Sequence, residues 1–166
     1  KKMHVAMITL GLVAGMVKAD ILVEDDFSYT GALTANGWSA YSGADASITA
    51  DGDDAAIGSG AEDIRIAFAD QLTGPTYASF VLNISTLPTT GSEYSFGFND
   101  GTTMESRWGI ASESSGTAFG LTAYGSGSTV LSTVSGFSLN TDYLVTIYFD
   151  GVSNNRLWVD GGVGDL

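Results

Sequence analysis

The chain of 166 residues has no cysteine, two prolines and a single histidine, and its six lysines and arginines face 19 aspartates and glutamates. Without cysteine there is no disulfide framework, no thiolate nucleophile and no cysteine zinc site. The shortage of cations leaves a formal net charge of −13. A surface of that sign repels phosphate backbones and anionic lipid, which argues against nucleic-acid and membrane-surface partners. His4 and all three lysines fall within the first 19 residues. Beyond them no Ser-His-Asp or Cys-His site, Schiff-base lysine or histidine zinc site can be assembled. A Walker A loop is also absent.

Those first 19 residues, "KKMHVAMITLGLVAGMVKA", stand apart from the rest. Two lysines precede an apolar run, Val5 to Val17, and Val17-Lys18-Ala19 ends in a small residue. This is the order of a signal peptide, with a basic start, an apolar centre and a cleavage site. The run is about 13 residues, short of the ~20 that span a bilayer. The expectation is export after cleavage at Ala19, to the exterior, the cell surface or the periplasm. The alternative is a buried N-terminal helix. Cleavage leaves Arg65, Arg107 and Arg156 as the only cations against 19 acids, a net charge of −16.

What remains is rich in glycine, at 22 residues, and in Ser, Thr, Val and Tyr. That mixture favours short strands and tight turns. Alternation predicts strands over Ile21–Glu24, Ala46–Ala50, Asp63–Phe68, Thr76–Ile84, Glu93–Phe98, Glu105–Ala111, Thr117–Ala123, Thr129–Thr133, Asp142–Asp150 and Arg156–Asp160. So many strands, with no helical periodicity after residue 19, predict a single all-β sandwich over 20–166. Tyr94, Phe96 and Phe98, Phe119 and Leu121, and Tyr143, Val145, Ile147 and Phe149 fall on inward faces.

The last predicted hairpin, "DYLVTIYFDGVSNNRLWVDG", can be registered from sequence. Phe149 opposite Leu157 and Ile147 opposite Val159 give an apolar inner face. The same register sets Tyr148 opposite Trp158 and Asp150 opposite Arg156 on the outer face, with Gly151–Asn155 as the loop.

"YFDGVSNNRLWVDG" resembles the strand–Asp-Gly–strand pattern of laminin G-like and concanavalin A-like lectin/glucanase domains. "LVEDDFSYTGALTANGWSAYSG" resembles the opening of secreted bacterial surface proteins with that fold. The resemblance implies an antiparallel two-sheet jelly roll, and a lectin-like role. Such domains end in a strand returning beside the first, and no such strand follows the hairpin before Leu166. The expectation is a C-terminally truncated sandwich with an open edge near Ile21–Glu24, available for strand pairing with another protein.

Two candidate sites follow. Tyr148 and Trp158 form an outer aromatic pair that can stack on sugar, or can simply cover the sheet. Asp51, Asp53 and Asp54 in "ADGDDAA" offer loop oxygens to calcium, or make a polar turn. Trp108 is assigned to the core, on one face with Ile110. The Glu-x-Asp-x-x-Glu pattern of the glucanase branch is absent. The favoured reading is therefore a non-catalytic, exported, lectin-like module binding a glycan or polysaccharide. The alternatives are a structural or adhesion module without sugar specificity and, less favoured, a divergent glycoside hydrolase.

Overall fold

The computed structural model describes residues 21–43, 47–57, 63–69, 74–88, 92–101, 103–124, 130–152 and 155–160. The segment expected to be a signal peptide, the residues after Asp160 and the turn at 125–128 lie outside the described residues. Every strand pairing whose register is described is antiparallel, and the described residues contain no α-helix. The protein is thus all-β. It divides into two compact units, Lys1–Asp70 with Ser79–Leu82, and Gln71–Ala78 with Asn83–Leu166.

The first unit is built from short strands: β1 (Thr30–Ala32), β2 (Ser39–Ser42), β3 (Thr49–Asp51), β4 (Ala55–Ala56) and β5 (Asp63–Arg65). They form a β1-β3-β4 sheet and a β2-β5 pair, with one 3₁₀ turn at Leu33–Ala35. Phe27, Leu33, Ile48, Ala50 and Ala55 are buried together, and Tyr29, Trp38 and Ile64 pack against them. Phe27 sits in left-handed backbone (φ 53°). That conformation costs roughly 1–2 kcal/mol for a residue with a Cβ. Complete burial of the ring, worth about 1.5–3 kcal/mol, offsets it.

Ile21–Glu24, expected as the first strand, is not one. The side chains that follow it explain where the chain turns. Asp25 Oδ1 accepts the Phe27 N–H (2.9 Å) and Asp26 Oδ1 accepts the Ser28 N–H (3.0 Å). Such local bonds compete with a ladder, and Phe27 then leaves extended backbone altogether. The open edge expected at Ile21–Glu24 therefore does not exist. β1, β2 and β4 were not legible as strands, because their Gly, Ala and Ser residues carry no alternation.

The second unit contains β7 (Ser92–Asn99), β8 (Met104–Ser112), β9 (Ala118–Tyr124) and β10 (Val130–Ser138) in the order β10-β9-β8-β7. β11 (Asp142–Phe149) lies between β12 (Asn155–Val159) and β6 (Thr76–Asn83). Within this unit the two sheets meet through aromatic rings, which gives it the character of a β-sandwich. Trp108, fully buried on β8, stacks on Phe96 (6.3 Å) and meets Phe98 edge-on (6.2 Å). Phe98 stacks in turn on Phe149 of β11 (6.3 Å). Tyr143 of β11 meets both Phe119 and Phe137 edge-on. Each such pair adds about 0.5–1.5 kcal/mol beyond its buried area. The inward assignments of Trp108, Phe119, Leu121, Val145, Ile147, Phe149 and Leu157 hold, since all are buried.

The hairpin register differs from expectation by two residues. The observed partners are Val145 with Val159, Thr146 with Trp158, Ile147 with Leu157, Tyr148 with Arg156 and Phe149 with Asn155. An even slip preserves which face each side chain occupies. The turn decides between the two registers. Asp150 accepts the Val152 N–H through Oδ1 (2.8 Å), so it belongs to the loop and does not sit across from Arg156.

Candidate functional site

The outer face of the β6-β11-β12 sheet gathers three aromatic side chains. Alternation turns Tyr148 and Trp158 outward, because Ile147, Phe149, Leu157 and Val159 all turn in. In the observed register Tyr148 and Trp158 are diagonal neighbours, their ring centroids 6.2 Å apart at 77°. Tyr77, near the start of β6, meets Tyr148 from the other side at 5.1 Å and 61°. The result is a row, Tyr77–Tyr148–Trp158, crossing three strands. Tyr77 is 52% exposed, while Tyr148 and Trp158 are half-buried. The pair expected to be openly exposed is thus half-buried and belongs to a longer strip, with Tyr148 in the middle and Tyr77 and Trp158 at its ends.

Arg156 is exposed and is the cross-strand partner of Tyr148; Thr146 is that of Trp158. The strip is held by bonds at the ends of its strands. Asn83 Nδ2 donates to Asp142 Oδ1 (2.6 Å), tying β6 to β11. Asp160 Oδ1 accepts the Leu144 N–H (2.9 Å), and the Asp160 N–H donates to the Leu144 carbonyl (2.8 Å), tying β12 to β11. Rings mounted on paired strands keep their spacing, which is what a stacking surface requires. Chemically the row offers ring faces and edges for C–H contacts, two phenol hydroxyls, and guanidinium donors beside them.

Sequence reasoning missed Tyr77. Its strand was correctly placed, but local pattern does not reveal that β6 lies beside β11. Parity on β6 could have shown only that Tyr77 faces away from Phe80 if the strand is regular.

Other aromatic side chains belong elsewhere. Trp108 is core, as expected, and Tyr124 is buried. Trp38 stacks on Phe27 (6.3 Å) and donates through Nε1 to Asp25 Oδ2 (2.5 Å). The same oxygen accepts the Tyr29 hydroxyl (2.8 Å). One carboxylate thus serves a backbone N–H, a phenol and an indole. The spacing of acid, Phe, Tyr and Gly-Trp in the N-terminal segment is that of a folding clasp. Burial, the hydrogen bond to Asp25 and the nearby carboxylate charge together push the Tyr29 phenol up to about 12. Tyr41 lies under the Arg65 guanidinium at 5.1 Å.

Asp51, Asp53 and Asp54 form the turn between β3 and β4. Asp51 Oδ1 accepts the N–H groups of Asp53 (3.2 Å) and Asp54 (3.1 Å), and the Asp51 N–H donates to the Asp54 carbonyl. Gly52 supplies the positive φ, 103°, that the turn needs. Asp54 is buried while Asp51 and Asp53 are exposed. Among the described residues no group of three or more His, Cys, Asp or Glu is arranged to hold a metal ion.

Glu93 and Glu105 lie on adjacent strands but far apart along them. Glu93 pairs with Ile110, five positions along β8 from Glu105. At about 3.4 Å per residue that is roughly 17 Å of backbone.

No family model, curated protein or solved structure matches this chain.

Proposed function

We propose that the protein is an exported, non-catalytic, lectin-like module that binds a neutral polysaccharide on the Tyr77–Tyr148–Trp158 strip. The observation that carries this reading is the strip itself: three rings in contact across three paired strands, one of them more than half exposed. Base-like stacking on an aromatic face and sugar C–H stacking share one physical basis, a polarisable ring presented without flexible side-chain freedom. The net charge of −13 disfavours sulfated or phosphorylated ligands and leaves uncharged sugars unopposed. The resemblance to concanavalin A-like domains supports a jelly-roll arrangement and an extracellular or cell-surface setting. The basic-then-apolar opening segment supports export.

The second reading is a structural surface module without sugar specificity. The partial mutual burial of Tyr148 and Trp158 favours it, because rings that shield one another also serve as sheet cover.

A glycan array probed with the purified protein separates the two. The lectin reading expects retention on one class of neutral glycan, lost in Tyr77→Ala and Trp158→Ala variants that stay folded. Uniform absence of binding supports the structural module. N-terminal sequencing of secreted material should begin at Asp20; a secreted chain that still begins at Lys1 rules out the cleavage.

A further inference from the structure

The three rings of the outer strip do not lie in one plane. Tyr77 and Tyr148 meet at 61°, and Tyr148 and Trp158 at 77°, both edge-to-face. Edge-to-face packing is an arrangement that ring quadrupoles favour, so contact between the rings itself maintains the steps. The strip is also short. Its rings stand on three neighbouring strands, and successive centroids are 5.1 and 6.2 Å apart. Each spacing is close to the advance of one pyranose unit along an extended chain. Beside the strip stands a charge. Arg156 and Trp158 are two residues apart on β12 and so share its outer face, and Arg156 is exposed there.

Resting on the lectin-like reading above, we infer that the strip recognises the interior of a single, soluble polysaccharide chain, one sugar unit to each ring, and not the flat face of a crystalline polysaccharide. The first argument is shape. A crystal face presents its sugars in one plane and cannot turn them separately. Neighbouring rings inclined at 61° and 77° cannot both lie flat against it. A single chain turns about each glycosidic linkage, and can set successive units against rings of different tilt. The second argument is charge. A neutral crystal laid over this face strips water from the Arg156 guanidinium and supplies no counter-charge, which is unfavourable. A single chain leaves that guanidinium hydrated, or takes a hydrogen bond from it on a sugar hydroxyl at the side of the strip. Recognition of the interior follows from the row itself. A row of rings gains a contact with each successive unit, whereas a pocket for a terminal sugar gains from one.

Affinity electrophoresis of the purified protein in gels holding hydroxyethyl cellulose, soluble starch or glycol chitin, beside depletion by crystalline cellulose, granular starch and crystalline chitin, tests this. The expected result is retardation by one soluble polymer and no depletion by its ordered solid counterpart. Tyr77→Ala should weaken the retardation at least about tenfold, with an unchanged far-UV spectrum. Should Tyr77→Ala not fold, Tyr77→Leu, which keeps an apolar side chain without the ring, carries the same expectation. Free oligosaccharides of the retained polymer should compete more strongly with each added unit up to the trimer, and little more beyond it. Depletion by an ordered solid as complete as retention by its soluble form overturns this inference and leaves the lectin-like reading standing. So does a monosaccharide that competes as well as the trimer. Retardation unchanged in both Tyr77→Ala and Trp158→Ala, or binding to none of the six polymers, overturns this inference together with the reading on which it rests.

Discussion

Leu157 and Trp158 are adjacent in sequence and opposite in role, so truncating each in turn probes the sandwich with one residue's resolution. Leu157 is fully buried and pairs with Ile147, itself 2% exposed, with Val159 and Val145 forming the neighbouring buried pair. Leu157→Ala removes three carbons, at about 0.8 kcal/mol each, or roughly 2.4 kcal/mol of transfer energy. The cavity left in a well-packed aromatic and aliphatic layer adds to this, for a total of about 3–4 kcal/mol. At this chain length each kcal/mol moves Tm by roughly 2–4 °C, so the melt should fall by about 10 °C. Trp158 is half-buried and its described ring contact is with Tyr148. Trp158→Ala should therefore cost only about 1–1.5 kcal/mol, in line with one edge-to-face pair and partial burial. Urea unfolding followed by far-UV dichroism gives both values on one scale. A Trp158→Ala loss larger than that of Leu157→Ala would mean the faces are reversed, and the aromatic strip would then be interior.

The native chain has no cysteine, so introduced pairs report register cleanly. Tyr148→Cys with Arg156→Cys should oxidise to a cross-link, while Asp150→Cys with Arg156→Cys, the pair of the alternative register, should remain largely reduced under the same mild oxidant. The raised Tyr29 phenol stabilises the fold fully below pH 10, its unfolded value, and that contribution disappears as pH climbs towards about 12. Tyr29→Phe should accordingly be less stable than the parent at pH 8, and the difference should shrink between pH 10 and 12; a constant difference would show that the phenol does not titrate in that window. Asp51 is already engaged by two turn N–H groups, so Tm should be the same in millimolar calcium and in chelator. An increase in calcium would restore Asp51, Asp53 and Asp54 as a cation site.

Much of the second unit was legible because its strands are long and alternate. The placements of β6, β8 and β11 match the structure to within one residue at either end, and the inward faces of β11 and β12 follow from parity alone. Register was not legible to the residue. Two registers two residues apart keep the same faces, and the Asp150–Val152 loop bond and the Asp160–Leu144 bonds go with the observed one. The first unit was mostly illegible. Its strands are two to four residues long, and its organiser is the Asp25 carboxylate, which reaches Tyr29 and Trp38 through space. The candidate site was half legible for a similar reason. Tyr148 and Trp158 belong to one hairpin, whereas Tyr77 joins them only because β6, far away in sequence, docks beside β11.

Tyr77 is also where the account is most exposed to test, since it is the most accessible ring of the strip and the least important for folding. Isothermal titration calorimetry with the neutral glycan best retained on the array should be run on the parent and on Tyr77→Ala. The account predicts at least a tenfold loss of affinity with Tm within about 2 °C of the parent, because base or sugar stacking on one aromatic face is worth roughly 1–3 kcal/mol. Unchanged affinity in Tyr77→Ala, repeated in Trp158→Ala, would contradict the assignment of sugar binding to this sheet face.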